Sequence, residues 1–381
     1  MIKKIIGKIQ NLMYEFSSKN FKSTQNKILM IGSYQKFGNL IRELKKDRKN
    51  MIIRGSTFLG RSLFRKDVDY YITFEDSEEC IRKKINNFDI IITTNDISSF
   101  ERKVINISNN FGIPSIIVQH GYPANIGIFQ SIPILATKMA AWGKFTKDLL
   151  VEKGAEEEKI ILTGSPQFDE YITRKKDKKE KILKKYNISL STKKIILFTA
   201  QPFRYKVDEN YDRLSLEEQK QIFDNLFDVT KELNLFLIIK LHPTNELSFE
   251  EISEFIPVKK YENNLILKHG QGDLFDIISI CDISITYNSS TAIESMLLDK
   301  PVITVNFSNK KDTINYAQYE CVIPVYDKNM LRDAIINLLN SDILKEKLRI
   351  KADRFLKNSF YKLDGLSSKR VADLIVDTIK N

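Results

Sequence analysis

Histidine, cysteine and tryptophan are scarce in this chain: its 381 residues include three histidines, three cysteines and one tryptophan. The cysteines, Cys80, Cys281 and Cys321, are isolated and odd in number, so the sequence predicts neither a disulfide framework nor a zinc site built on Cys-x-x-Cys. No apolar run approaches the roughly 18–20 residues that a membrane-spanning helix needs, and the first residues lack the features of a secretory signal. We therefore expect a cytoplasmic protein in a reducing compartment.

Several signature motifs are also missing. The chain has no P-loop GxxxxGK[ST], no GxGxxG after a strand, no HExxH and no GxSxG nucleophile elbow. These absences argue against a P-loop kinase, a typical dehydrogenase, a zincin protease and an α/β-hydrolase. Asp67 and Asp69 have the spacing of a metal-binding carboxylate pair, but no other carboxylate cluster supports them. We interpret the pair as structural and predict no metal site.

Positive charge is concentrated at one end of the chain. Residues 1–50 contain twelve Lys/Arg and three Asp/Glu, a net charge of +9 out of +11 for the whole chain. Apolar residues recur there at helical spacing beside Lys3, Lys4 and Lys8: Ile2, Ile5, Ile6, Ile9, Leu12, Met13 and Phe16. A basic amphipathic helix of this kind fits an anionic surface, either a membrane or a nucleic acid. Docking of the apolar stripe on the body of the protein is an equal alternative.

Beyond this segment, short apolar runs alternate with amphipathic stretches. This alternation predicts βαβ units and parallel sheets, and the length fits two domains. The run TRKKDKKEKILKKY at 173–186 lacks the apolar content of a core strand, so it predicts a solvated linker or an exposed helix. We predict an α/β protein with two Rossmann-like halves facing a central cleft. The expected ranges are an amphipathic segment at 1–26, a first domain at 27–172, a linker at 173–192, a second domain at 193–360 and a C-terminal helix at 361–381.

Two of the three histidines follow predicted strands. His120 comes after an apolar run and precedes Gly121, and His242 comes after another and precedes Pro243. Ligands bind at the carboxyl ends of the strands in open parallel sheets. We therefore expect His120 to act as a base and His242 to donate to a phosphate oxygen. A structural histidine at a strand end is the alternative for each.

The segment CDISITYNSSTAIESMLLDKPVITVNF, residues 281–307, is the most specific one. A predicted strand ends at Tyr287, and a predicted helix begins after the turn with Ser289 and Ser290. Hydroxyl groups and helix N–H groups at such a turn form an anion site that suits a phosphate. We expect Thr291 to belong to the same site and Glu294 to reach a sugar hydroxyl. An ordinary capping box is the alternative.

Weaker signals lie in three other loops. Gln201 and Arg204 follow the first strand of the second half, and the guanidinium group of Arg204 is suited to bind a phosphate. Gly121 permits a tight turn after His120, and Tyr122 is expected to shape the acceptor side. His269 precedes a glycine and is expected either to line the pocket of the nucleotide base or to lie in a surface turn.

In order along the chain, HG, KIILTGSPQFDEY, KLHP and CDISITYNSSTAIESMLLDKPVI resemble motifs of GT-B transferases of bacterial surface polymers. This group includes CDP-glycerol glycerophosphotransferases, capsule Kdo transferases and bacterial polysialyltransferases. The HG motif resembles His120-Gly121, the "TGxPR.D" motif resembles Thr163–Asp169 with Gln167 at the arginine position, and the HP motif resembles His242-Pro243. The serine motif of this group resembles Ser289-Ser290-Thr291. The resemblance implies that His242 and this serine motif hold the donor phosphate, with His120 on the acceptor side.

The resulting hypothesis is a metal-independent, inverting GT-B transferase without a cofactor. It moves a sugar or polyol phosphate from a nucleotide donor to a hydroxyl of a cell-surface glycan or glycolipid. CMP or CDP is the favoured nucleotide, and a UDP-sugar stays open. We expect the enzyme on the inner face of an anionic membrane and expect no nucleic-acid partner, because aromatic-basic stacking motifs are absent. The alternatives are a nucleotide-sugar epimerase or hydrolase of the same fold and, after it, a basic nucleic-acid-binding module.

Overall fold

A computed structural model of the chain forms two compact units. The first comprises residues 1–173 together with 357–381, and the second comprises residues 174–356. The structure describes residues 25–32, 37–47, 49–56, 69–73, 77–122, 131–189, 193–204, 214–243, 245, 247–256, 263–268, 271–308 and 310–380. The predicted amphipathic stripe of residues 2–16 lies outside the described residues.

The first unit is built on a parallel sheet of seven described strands, in the order β3-β2-β1-β4-β5-β6-β7. The strands are β1 Asn26–Met30, β2 Asn50–Ser56, β3 Tyr70–Thr73, β4 Ile90–Thr93, β5 Ser115–Val118, β6 Lys138–Ala141 and β7 Ile160–Leu162. Each matches an apolar run of the sequence, because β-branched side chains pack well on both faces of a covered parallel sheet. The prediction of a parallel α/β fold is confirmed for this unit.

Helices cover this sheet. Those of the first unit are α1 Gly38–Leu44, α2 Glu78–Ile85, α3 Ser99–Asn110, α4 Lys144–Glu152, α5 Asp169–Thr173 and, from the end of the chain, α13 Ser367–Lys380. The apolar stripe of α13 packs into the core cluster of β1 and α1 through Val371, Ala372 and Ile375, all buried. The last helix, which we predicted as a separate segment at 361–381, therefore belongs to the first unit, because its apolar face completes that core.

The second unit repeats the design with a parallel sheet of six described strands, in the order β10-β9-β8-β11-β12-β13. The strands are β8 Ile195–Thr199, β9 Phe236–Lys240, β10 Asn264–Leu267, β11 Ile283–Thr286, β12 Val302–Val305 and β13 Ile323–Val325. The helices are α6 Lys179–Lys185, α7 Leu216–Glu232, α8 Phe249–Phe255, α9 Leu274–Ile280, α10 Thr291–Leu297, α11 Leu331–Asn340 and α12 Asp342–Ser359, whose last turn crosses into the first unit. No described helix is long and apolar enough to cross a membrane.

The lysine-rich run at 173–186 takes the second of its two predicted forms, a largely exposed helix. It contains α6, whose Ile182 and Leu183 are buried. Lys185 pairs with the buried carboxylate of Asp276 on α9 at 2.5 Å, and Arg174 donates to the same carboxylate at 2.6 Å. Two buried apolar side chains and the ion pairs with Asp276 thus attach this segment to the second unit.

The two faces of the second sheet differ in polarity. Ile196 and Phe198 on β8, Leu237 and Ile239 on β9, and the alternate residues of β11 and β12 lie in one apolar cluster with α7 and α11. The opposite face carries hydroxyl groups: Thr199 bonds to Thr286 at 2.9 Å. Ser284 on this face also bonds to Ser295 of α10 at 2.8 Å. Helix α10, which follows the serine turn, therefore covers the polar face of the sheet.

Candidate functional site

His120 lies just beyond β5, at the carboxyl edge of the first sheet, and is half-buried. Its Nδ1 is 2.9 Å from the carbonyl oxygen of Thr94, which follows β4. A carbonyl oxygen only accepts hydrogen bonds, so Nδ1 carries the proton and donates. The neutral ring therefore has its lone pair on Nε2, and this is the tautomer that a general base needs.

Gln119 holds the turn that presents His120. The Gln119 side chain is buried and accepts from the backbone N–H of Trp142 at 2.7 Å. Its side-chain amide donates to the Gly121 carbonyl at 2.9 Å, and this hydrogen bond closes the turn around His120. Tyr122 is buried and stacks on Phe145 with a centroid distance of 5.6 Å. The ring of Tyr122 thus contributes mainly to packing beside the turn.

A polar segment after β4 was missed by the sequence reasoning. Asp96 is fully buried, and its carboxylate accepts from the Ser131 N–H at 2.6 Å, the Ser131 hydroxyl at 2.7 Å and the Leu135 N–H at 3.0 Å. These bonds tie Ser131 and Leu135 to the segment that follows β4. The signal was present in the sequence as the polar run Thr-Asn-Asp directly after an apolar strand.

The serine turn lies at the carboxyl end of β11. Asn288 has a positive φ of 40°, which turns the chain sharply out of the strand. The Ser289 hydroxyl accepts from the Thr291 N–H at 3.2 Å and lies 2.9 Å from the Thr291 hydroxyl. The Tyr316 hydroxyl donates to the Ser289 carbonyl at 3.0 Å, which fixes the turn from the side. Hydroxyl groups are therefore clustered where we predicted a phosphate site.

The start of the helix that follows is capped by Ser289 and not by a capping box. Ser290 is the N-cap of α10, but its side chain caps no N–H group, so no capping box forms there. The N–H groups of Ala292, Ile293 and Glu294 bond to the carbonyls of Ser289 and Ser290. The turn therefore offers a ligand its hydroxyl groups more than its helix N–H groups.

Two neighbouring loops are joined beside this turn. The Phe203 N–H, after β8, donates to Asn245 Oδ1, after β9, at 3.0 Å. Gln201 is half-buried, and its side-chain oxygen accepts from the Leu214 N–H at 3.3 Å. The structure thus places the following predicted residues at the carboxyl ends of β8, β9 and β11: Gln201, Arg204, His242, Pro243, Ser289, Ser290, Thr291 and Glu294. His269 lies outside the described residues.

Lys240, the last residue of β9, is a cation that the sequence reasoning did not single out. It is half-buried, and its Nζ donates to the Lys268 carbonyl at 3.2 Å. Burial lowers the pKa of this ammonium from its ordinary value. The signal in the sequence was a charged residue inside an otherwise apolar strand, two positions before His242.

Carboxylates do not form a metal site in the part of the chain that the structure describes. No group of three metal-ligating side chains occurs among those residues. Asp69 instead accepts from the Ile52 N–H at 2.9 Å and pairs with Lys45 at 3.0 Å. Asp67 lies outside the described residues.

The TGSPQFD segment serves the packing of the first unit. Asp169 is buried, and its two carboxylate oxygens accept from the N–H groups of Ser367 at 3.0 Å and Ser368 at 2.6 Å. These residues begin α13, so Asp169 caps a helix almost two hundred residues away. Gly164 has a φ of 78°, and a Cβ there would lie 2.4 Å from the Ser367 hydroxyl oxygen. The glycine thus permits the close approach that the cap requires.

A sequence model of the family described as CDP-Glycerol:Poly(glycerophosphate) glycerophosphotransferase matches residues 153–377, more than half of the chain. The chain belongs to this family. The teichoic acid glycerol-phosphate primase of Bacillus subtilis is 28% identical over 235 residues, which cover 59% of this chain and 53% of that protein. The teichoic acid poly(ribitol-phosphate) polymerase of Bacillus spizizenii is 28% identical over 232 residues, covering 58% of this chain and 34% of the polymerase. The chain therefore spans about half of one curated relative and about a third of the other.

Solved structures agree on the fold. A variant of the wall teichoic acid polymerase TagF superposes with a TM-score of 0.65 at 16% identity, covering 100% of this chain and 96% of that one. The UDP-GlcNAc 2-epimerase of Neisseria meningitidis, bound to UDP-GlcNAc, gives a TM-score of 0.66 at 15% identity, covering 93% and 100%. Transferase and epimerase are equally similar, so these likenesses establish the GT-B type of α/β fold and leave the reaction open.

Proposed function

We propose that this glycerophosphotransferase family member transfers a polyol phosphate from a CDP-activated donor to a hydroxyl of a cell-surface polymer. Membership of the family carries this proposal. The relatives named for teichoic acid synthesis support a cell-envelope polymer as acceptor. Glycerol phosphate is the unit that the family description favours. A sugar moved from a CMP-linked donor is the alternative that the same site would serve.

The second unit provides the donor side of this reaction. His242 follows β9, and the hydroxyl groups of Ser289, Ser290 and Thr291 follow β11; these parallel strands flank β8, and such sheets bind ligands at the carboxyl ends of their strands. Charge builds on the leaving phosphate as its bond breaks, so hydrogen-bond donors placed there lower the barrier. Arg204 is half-buried after β8, and its guanidinium group can also donate hydrogen bonds to the phosphate. We expect none of these groups to require a metal ion.

The first unit provides the base. The hydrogen bond to Thr94 holds the neutral His120 ring with its lone pair on Nε2. In the proposed step the acceptor oxygen forms a bond to the β-phosphorus of the donor, and the bond from this phosphorus to the bridging oxygen breaks. CMP leaves with the electron pair of that bond, and the acceptor proton moves to Nε2 of His120.

The fold is compatible with the epimerase alternative, but the sequence family is that of the glycerophosphotransferases. Product analysis separates the two activities. Purified protein with CDP-glycerol and a lipid-linked saccharide acceptor should release CMP in proportion to acceptor extension, and slowly without acceptor. His120→Ala should abolish this release while leaving CDP binding intact. Conversion of UDP-GlcNAc to its 2-epimer, with no acceptor-dependent release of CMP, would refute the proposed transfer.

A further inference from the structure

Lys240 is a half-buried ammonium without a carboxylate partner among the described residues. Its one hydrogen bond goes to the Lys268 carbonyl, which carries only a partial charge. Taking a charge out of water costs free energy unless a counter-charge compensates it. The lowered pKa of Lys240, caused by burial alone, is the sign of that uncompensated cost. Such a cation suits an anionic ligand.

The position of the ammonium is set by the strand register. Lys240 pairs with Leu267 on β10 and with Thr199 on β8. Its Nζ bonds one residue further along, to Lys268, so the charge points toward the carboxyl edge of the sheet. This is the edge at which His242 and the serine turn lie.

The face of the sheet is set by alternation. Ile239 and Leu241 belong to the apolar cluster on one face, so Lys240 projects from the other. That other face carries the hydroxyl pair of Thr199 and Thr286, and α10 covers it. Lys240 therefore shares both its edge and its face with the helix that the serine turn begins.

Two other half-buried cations of the second unit pair with carboxylates. Arg174 pairs with Asp273 at 2.7 Å, and Lys310 pairs with Glu218 at 2.8 Å. Lys300 resembles Lys240 in donating to a carbonyl, that of Cys281 at 2.8 Å, and burial likewise lowers its pKa. Lys300, however, lies two residues before β12 and so at the amino edge of the sheet.

We propose that the Lys240 ammonium binds the phosphate groups of the nucleotide donor, beside His242. This assignment deepens the proposed function and rests on it for the identity of the donor. The ammonium supplies the full positive charge that hydroxyl groups lack. Its contact with the phosphates is a charge-assisted hydrogen bond, among the stronger polar contacts in proteins.

The test compares Lys240→Met with Lys300→Met. Both changes remove a half-buried ammonium that donates to a carbonyl, but only the first lies at the proposed site. We expect Lys240→Met to weaken CDP binding by about 10- to 100-fold in calorimetric titration, and Lys300→Met to stay within about twofold of wild type. Cytidine, which has no phosphate, should bind Lys240→Met as it binds wild type. Lys240→Arg, which keeps the charge, should recover part of the CDP affinity.

Each outcome decides a separate point. Wild-type affinity of Lys240→Met for CDP, or equal losses for CDP and cytidine, would overturn the assignment while the proposed function stood. A wild-type protein that binds no cytidine nucleotide would refute the proposed donor.

Inorganic pyrophosphate then tests the anion site alone. It should raise the melting temperature of wild type and Lys300→Met but not that of Lys240→Met. A folded Lys240→Met variant stabilised by pyrophosphate as strongly as wild type would refute the anion site itself.

Discussion

Removal of the Asp169 carboxylate should destabilise the first unit more than the loss of an ordinary helix cap. Both carboxylate oxygens are buried and accept backbone N–H groups at the start of α13. A hydrogen bond to a charged group contributes about 1.5–3 kcal/mol, and a lost cap costs about 0.5–2 kcal/mol. These contributions overlap, so we expect Asp169→Ala to lower the free energy of unfolding of this unit by about 2–4 kcal/mol.

The single tryptophan of the chain provides the assay. Trp142 is buried in the first unit, with its ring centroid 5.3 Å from that of Phe168 and 5.4 Å from that of Phe360. Its fluorescence therefore reports on the packing between the TGSPQFD segment and the chain that leads into α13. With a urea dependence of about 2 kcal/mol per molar, the expected loss moves the unfolding midpoint down by roughly 1–2 M.

Ser77→Ala is the matched control. The Ser77 hydroxyl caps α2 of the same unit at 3.3 Å from the Cys80 nitrogen, in an exposed position. Its loss should cost no more than about 1 kcal/mol. Asp169→Asn should fall between the two variants, because it keeps the shape but places an amide against a backbone N–H. If Asp169→Ala and Ser77→Ala unfold at the same urea concentration, the long-range cap contributes no special stability and our reasoning is wrong.

Three further predictions concern activity and location. His242→Ala, and separately the double change of Ser289 and Ser290 to Ala, should each cost on the order of 2–4 kcal/mol of transition-state stabilisation in steady-state assays; nucleotide binding at wild-type strength would contradict the phosphate assignment. Activity should survive EDTA, whereas loss with EDTA and recovery with Mn²⁺ would show that a metal is needed. Deletion of residues 1–22 should reduce sedimentation with anionic vesicles at low salt, since each lysine near such a surface contributes roughly 1 kcal/mol; unchanged sedimentation would place the stripe against the protein itself.

Local patterns in the sequence were sufficient to predict both sheets. Runs such as LFLIIK and ISITY have enough consecutive β-branched and apolar residues to fill both faces of a covered strand, so each run predicted one strand. The carboxyl-edge positions of His120, His242 and Ser289 followed from the strand ends. The roles given to these residues stay predictions.

Features that depend on distant or weakly apolar residues were not predictable in this way. The cap of α13 joins Asp169 to Ser367, and no local pattern links positions so far apart. For α6 the sequence left a linker and an exposed helix as alternatives, and the docking of this helix was not predictable because it depends on the buried Asp276 of another helix. The geometry of the serine turn depends on the positive φ of Asn288, which a capping-box pattern does not anticipate.

The charges at the carboxyl edge of the second sheet favour an anionic ligand over a metal ion. Two of the carboxylates described there are engaged: Glu218 pairs with Lys310, and Asp312 accepts from Asn306 and Tyr326, both at 2.8 Å. Cationic and hydroxyl groups at the same edge, by contrast, include the ammonium of Lys240, which pairs with no carboxylate in the part of the chain that the structure describes. Engaged carboxylates offer little to a divalent cation, whereas an uncompensated ammonium is stabilised when a phosphate arrives. In the proposed complex, the donor phosphate supplies the counter-charge that Lys240 lacks among the described residues.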